Sequence, residues 1–276
     1  MLRTIPTSFD PQVVAAIDHR LEQIRASEHV AIPLAIESGS RAWGFPSPDS
    51  DYDSRFVFVR SLEDYISPWP KRDVIETPLD DLLDVNGWDL RKALKLLLKG
   101  NAVILEWVQS PIQYGVDPWF KDSFLELAAQ VARRRPVVRH YRHTAEHQRE
   151  LHLADSEAVL TKKLFYVLRP VLALRWMRQR PTASVPPMHF AALMGETDLP
   201  RNLSDLLLEL IAEKAQAGEK ARRPAPTELH KLIEGELDAW PDSDEMVAES
   251  AVPEDHKRLA TALLRASIER FMPAKG

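Results

Sequence analysis

The sequence predicts an α+β protein, with a small mixed β-sheet domain over residues 1–115 followed by an all-helical domain over residues 116–276. Short apolar runs with the β-branched and aromatic content of strands occur only in the first part, at 30–36 and 52–60. Beyond Asp117 the apolar residues recur at helical spacing and no run reads as a strand. Between these regions Ser110-Pro111 and Asp117-Pro118 form two proline turns around a short apolar segment, which is where a boundary is expected. At 276 residues the chain also exceeds the usual size of one domain.

In chain order, Val13, Val14, Ile17, Leu21 and Ile24 mark a first helix from Pro11 to Ala26, with Asp10 placed as its N-cap. The run Val30 to Ile36 reads as a strand, and Pro33 within it points to a sheet edge or a bulge. A loop rich in Gly, Pro, Ser and Asp leads to a strand from Tyr52 to Arg60. Residues 73–76 and 82–85 read as a hairpin, and Asn86-Gly87 as a turn. Asp89 caps a helix from Leu90 to Leu98 that stops at Gly100, the residue type suited to a left-handed C-terminal cap. Five helices follow at 119–134, 136–154, 156–178, 187–194 and 203–217, with a charged, proline-containing linker at 218–226.

Composition narrows the class. Apolar residues make up 45% and charged residues 28%, which is ordinary for a folded protein. With no cysteine, disulfides, thiolate zinc sites and cysteine nucleophiles are excluded, and a reducing compartment, the cytoplasm, is the expected location. The N-terminal residues lack the apolar core of a secretion signal, and no run of about 18 apolar residues is available to cross a bilayer. No membrane partner is expected. A net charge of −5 means that any nucleic acid must be met by a local basic surface.

The residues that point to chemistry are Gly39-Ser40 and Asp51-Tyr52-Asp53. Side chains alternate along a strand, so Asp51 and Asp53 share one face, and two carboxylates that close are unfavourable without a cation. Hard divalent ions such as Mg²⁺ or Mn²⁺ prefer such oxygen ligands. Upstream, Gly39 and Ser40 close a strand with bare backbone amides and a hydroxyl suited to phosphate, Arg41 adds charge, and Gly44 lets the loop pass closely over a ligand. Asp-x-Asp alone is common in turns. A strand ending in Gly-Ser, a loop of this length and Asp-x-Asp opening the next strand form a far more specific combination.

The stretch Gly39-Ser40-Arg41-Ala42-Trp43-Gly44 through Asp49-Ser50-Asp51-Tyr52-Asp53 resembles the signature of the polymerase-β-type nucleotidyltransferases. Three further segments, Asn86 to Leu94, Leu105-Glu106-Trp107 with Ser110-Pro111, and Lys162 to Pro170, resemble the RNA-repair-associated branch, RlaP or YcgL-like. The resemblance runs from about Ile36 to Arg180. It implies a mixed-sheet catalytic domain, an appended helical domain, Mg²⁺ or Mn²⁺, and a nucleoside triphosphate (NTP) as substrate; an RNA end is the first acceptor to consider. A small-molecule or protein hydroxyl is the alternative acceptor, and a nucleotide sensor without turnover the alternative class.

Such enzymes use a third carboxylate on a neighbouring strand, for which Asp84 is the choice, so that Asp51, Asp53 and Asp84 form the expected catalytic and metal-binding set. Asp89 is the runner-up, better read as an N-cap; Asp80 and Asp81 read as solvated. Lys162, Tyr166 and Arg169 fall on one helix face and, with Gly39, Ser40 and Arg41, are the expected nucleotide-binding residues. His140, His143 and His147 read as part of a cationic helix face and not as a metal site. Arg133-Arg134-Arg135 reads first as a helix C-terminal cap, and with Arg139 and Arg142 as a track for an RNA backbone.

Overall fold

The computed structural model describes residues 1–78, 82–153, 158–217, 221–241 and 251–272. Asp80, Asp81, the start of the helix expected at 156–178 and the first part of the linker expected at 218–226 lie outside the described residues. The elements run β1 (Leu2–Thr4), α1 (Pro11–Glu28), β2 (Ala31–Glu37), α2 (Gly39–Trp43), β3 (Tyr52–Val59), α3 (Leu62–Ile66), β4 (Val74–Glu76), β5 (Leu83–Asp89), α4 (Leu90–Leu98), α5 (Ala102–Gln109) and β6 (Gln113–Val116). They continue with α6 (Pro118–Val131), α7 (Arg134–Leu153), β7 (Val159–Leu160), α8 (Thr161–Gln179), α9 (Phe190–Gly195), α10 (Arg201–Ala217), β8 (Arg222–Arg223), α11 (Thr227–Asp238) and α12 (Glu254–Phe271). The fold is α+β, as the residue pattern predicts.

A six-stranded mixed sheet is ordered β1-β6-β2-β3-β5-β4, with β3 and β5 parallel and the other neighbours antiparallel. The apolar segment between the two proline turns is β6, which pairs with both β1 and β2. The two faces of the sheet bury different partners because side chains alternate. Tyr52, Phe56, Phe58, Leu83 and Val85 pack against Ile17, Leu21 and Ile24 of α1. Leu34, Ile36, Val57 and Val59 point the other way and join one apolar cluster with Leu97, Phe124, Phe165, Leu172 and Leu207 from the helices. No helix among the described residues is long and apolar enough to cross a membrane.

Local chemistry explains most element ends. Asp10 accepts from the amide of Gln12 at 2.8 Å and starts α1, while Asp117 accepts from Phe120 at 3.0 Å and starts α6. Gly100, at φ +76, ends α4 as expected from its freedom to enter the left-handed region. Arg134 donates to the carbonyls of Arg180 at 2.9 Å, Ala183 at 2.7 Å and Met177, and so caps the C-terminus of α8.

Of the two readings of Pro33, the structure gives the bulge and not the edge: β2 lies inside the sheet, its register shifts between Ala31 and Leu34, and the Pro33 carbonyl accepts from the Asp117 amide at 2.8 Å. Three expectations are corrected. Asn86-Gly87 is not a turn but lies inside β5, where a Cβ on Gly87 would stand 2.3 Å from the Phe56 ring. Beyond Asp117 the described residues include two strands, β7 and β8, which pair with each other. The RNA track does not form as read: Arg134 is spent on α8, Arg133 donates to the Leu98 carbonyl at 3.3 Å, and buried Arg142 bonds Glu146 at 2.8 Å and the Trp240 carbonyl at 2.6 Å.

Gly87→Ala should therefore overpack the β3–β5 pair and lower stability by about 1–3 kcal/mol. Chemical denaturation measures it, and an unchanged midpoint would show that the Phe56 ring yields without cost.

Candidate active site

The site forms where β2, β3 and β5 end together. Parallel register sets Asp53 of β3 opposite Asp84 of β5, and on both strands these residues face the side covered by the helices, away from Tyr52 and Leu83. Asp89 is opposite Phe58, at the other end of the strand pair. It is buried, accepts from the Arg91 amide at 2.7 Å as the N-cap of α4, and burial pushes its carboxyl above the usual carboxylate range. Asp84, not Asp89, therefore stands beside Asp53.

Two neighbouring carboxylates repel, and the structure supplies a cation that sequence reading overlooks. Arg55 is on the same face as Asp53 by the alternation of β3. Its Nη2 donates to Asp53 Oδ1 at 3.0 Å and to Asp84 Oδ2 at 2.6 Å. Its Nη1 donates to the backbone carbonyls of Ser54 at 3.1 Å and Asp84 at 2.7 Å. Asn86 steadies the other oxygen of Asp84 from 3.1 Å. Among the described residues, no three His, Asp or Glu side chains converge on one point. Asp51 lies just before β3 and is exposed.

The Gly-Ser motif begins α2. Gly39 has φ +60, and a Cβ there would stand 1.8 Å from Asp53 Oδ2, so glycine is required both by backbone conformation and by the carboxylate that fills its side-chain space. The amide of Ser38 donates to the Asp53 carbonyl at 2.9 Å, which ties the strand end to β3. Ser40 is buried, and its hydroxyl donates to Ser50 Oγ at 3.1 Å. Ser47 and Ser50 share a bond of 2.9 Å, and buried Lys214 of α10 donates to Ser47 Oγ at 3.3 Å. Arg41 stacks over Tyr52 at 3.9 Å and donates to the carbonyls of Asp51 at 3.1 Å and Ser50 at 2.6 Å, so it staples the loop that delivers Asp51.

Of the expected α8 residues, Tyr166 and Arg169 both come against α2 through Trp43. The Tyr166 ring meets Trp43 edge to face at 6.2 Å and the Arg169 guanidinium lies 4.0 Å from the Trp43 ring. Arg169 also turns inward, pairing at 2.5 Å with buried Glu106, which accepts from Tyr141 at 3.0 Å. Lys162 is half-buried on the same helix, and the neighbouring Lys163 ammonium lies 5.0 Å from the Tyr166 ring. Glu106, within the segment Leu105-Glu106-Trp107, carried no chemical signal by spacing because its partners come from α7 and α8.

Glu37 is a second buried carboxyl that sequence reading missed. It ends β2, fully enclosed, accepting from the Asp53 amide at 2.8 Å and from the Tyr114 hydroxyl at 2.5 Å. Burial, chiefly, pushes its carboxyl up to about 8, against the two hydrogen bonds, which favour ionisation. An acidic residue inside an apolar strand run is the only hint the sequence offers.

The site thus has paired carboxylates on parallel strands and a bare glycine turn against one of them, at the start of a helix, α2, that is held against α8 through Trp43. The chain belongs to the RNA repair pathway DNA polymerase beta family, RlaP, whose profile matches residues 13–265. It is also similar to the uncharacterised protein YcgL of Bacillus subtilis (strain 168), at 41% identity over 219 residues, covering 79% of this chain and 83% of that protein.

Two outcomes follow from the geometry. Gly39→Ala should drive the Asp53 carboxylate from its place and strain the backbone by about 1–3 kcal/mol; a crystal structure with Asp53 undisturbed would refute it. Because the folded Glu37 holds its proton more tightly than the unfolded chain, its contribution is complete below about pH 4.5 and is lost as pH rises towards about 8. Melting temperature measured in EDTA from pH 5 to 8 should fall less for Glu37→Gln than for the natural chain, and parallel curves would contradict this.

Proposed function

We propose that this protein is a divalent-metal-dependent nucleotidyltransferase that moves a nucleoside monophosphate from an NTP to an acceptor hydroxyl, with an RNA 3′ end as the acceptor. The observation that carries this reading is the register of Asp53 and Asp84 on adjacent parallel strands, with Gly39 against the Asp53 carboxylate. Family membership supports the reaction class, and the RNA-repair description of the family supports the acceptor.

The donor set fits a hard cation: it is all oxygen, and a Cβ-free turn leaves Asp53 Oδ2 its space. Asp51, Asp53 and Asp84 would hold Mg²⁺ or Mn²⁺, which when bound would neutralise charge on the transferring phosphoryl group. The chain's own part is positioning. Backbone amides of Gly39 and Ser40 receive the triphosphate, Arg41 fixes the loop that carries Asp51, and the Tyr166 face of α8, with Lys162, closes on the nucleotide. Arg169, paired with Glu106, holds Trp43 and so the end of α2 in place. Asp84 orients the acceptor hydroxyl. The hydroxyl oxygen forms the new bond to the α phosphorus as the bond to pyrophosphate breaks, and the hydroxyl proton leaves to solvent.

Incubation with each α-labelled NTP, Mg²⁺ or Mn²⁺ and a panel of RNA 3′ ends tests the reading. Label should pass to RNA, and Asp53→Asn and Asp84→Asn should each slow transfer by about a hundredfold or more, since even residues that only support a metal ligand cost 10–100-fold. Transfer to a small molecule or protein hydroxyl alone would reassign the acceptor. Nucleotide binding with no transfer and no metal dependence would replace the enzyme by a sensor.

A further inference from the structure

The guanidinium of Arg55 lies where the proposed reaction needs a metal. One nitrogen, Nη2, touches both Asp53 Oδ1 and Asp84 Oδ2, at 3.0 and 2.6 Å, so the two oxygens face the same small volume and that volume is filled. The other terminal nitrogen is anchored on two backbone carbonyls, of Ser54 and Asp84, which aim the group. The Arg55 side chain is only 15% exposed, while those of Asp53 and Asp84 are 28% and 35% exposed, so the carboxylates open towards solvent and the cation sits beneath them. A divalent ion that these two carboxylates would hold and a guanidinium bonded to both would compete for that volume.

We propose that Arg55 is an internal counter-cation that competes with the divalent ion for Asp53 and Asp84, holding the two carboxylates together in the free protein and giving up its bonds to them when the metal binds. This rests on the nucleotidyltransferase reading of the same site. The competition sets when the metal loads. In the free protein a monovalent cation already offsets the carboxylates, so a divalent ion gains less there than at a bare pair. A nucleotide reverses the balance, because its phosphates bring new negative charge that favours the metal and offer the displaced guanidinium a partner of matching geometry. Metal binding is then weak without nucleotide and strong with it, and binding of each tightens the other.

A purely structural role for Arg55 predicts the opposite sign. If the arginine only braced the strand ends, its loss would let the carboxylates splay and metal affinity would fall. Mn²⁺ binding without nucleotide, followed by loss of the free-ion electron paramagnetic resonance signal, separates the two. Arg55→Met should bind Mn²⁺ at least about tenfold more tightly than the natural chain, as expected for removing a like charge at hydrogen-bond distance. Equal or weaker binding by a folded Arg55→Met overturns the proposal. Arg55→Lys, which keeps the charge on a shorter stem without the fork, should fall between them.

A measurement on the natural chain makes the test independent of how the variants fold. The Arg55 side-chain NMR signal, assigned through its backbone, should shift with Mg²⁺ in a saturable way; an unmoved signal at saturating Mg²⁺ overturns the proposal. Asp53→Asn and Asp84→Asn distinguish the two levels. If neither weakens Mn²⁺ binding, the metal reading of the site fails and Arg55 with it. If both weaken it while Arg55→Met does not tighten it, only the role of Arg55 fails.

Discussion

Two like charges in register are the constraint on which this structure turns. The parallel pairing of β3 with β5 brings Asp53 and Asp84 side by side on one face. Near a protein surface, two unit charges 4 Å apart interact by about 4 kcal/mol, well above the value of an exposed ion pair. Such a juxtaposition persists only if something offsets it, and Arg55, bonded to both, does so in the free chain. Gly39 belongs to the same constraint, because the other oxygen of Asp53 lies where its side chain would be. The glycine, the two aspartates and the arginine are one unit contributed by three strand ends.

The rest of the fold holds that unit still. The face of the sheet turned to α1 is sealed by Tyr52, Phe56 and Phe58, while the opposite face is continuous with the helical core through Val57 and Val59. Phe45, just after α2, stacks on Phe165 of α8 at 4.6 Å, and Lys214 of α10 reaches the loop before Asp51. The helices therefore fix the position of the phosphate-side turn. The buried pair Arg169–Glu106 adds orientation more than stability, since removing two charges from water offsets much of their attraction.

How far the sequence could be read depended on the range of the interactions. Local rules located α1 and α4 through Asp10, Asp89 and Gly100, whose effects act within one turn. Alternation along β3 placed Asp53, and the family motif pointed to Asp84, which the register then sets beside it. Pro33 signalled the irregularity in β2 but not which of edge or bulge it was, and Asn86-Gly87 misled because a tertiary partner overrode local preference: Phe56 needed the glycine. Arg55, Glu37, Glu106 and Lys214 were illegible for a related reason. Each is ordinary by spacing, and its partners stand on other strands or helices. Arg134 and Arg142 look like an exposed basic run until the carbonyls they serve are known.

A crystal structure with Mn²⁺ and a non-hydrolysable NTP analogue, using the anomalous signal of the metal, tests the central claim most directly. The account predicts a peak bonded to both Asp53 and Asp84, with phosphates against Gly39 and Ser40 and Arg55 moved off the carboxylates. A peak elsewhere, with Arg55 still bridging the two aspartates, would contradict it.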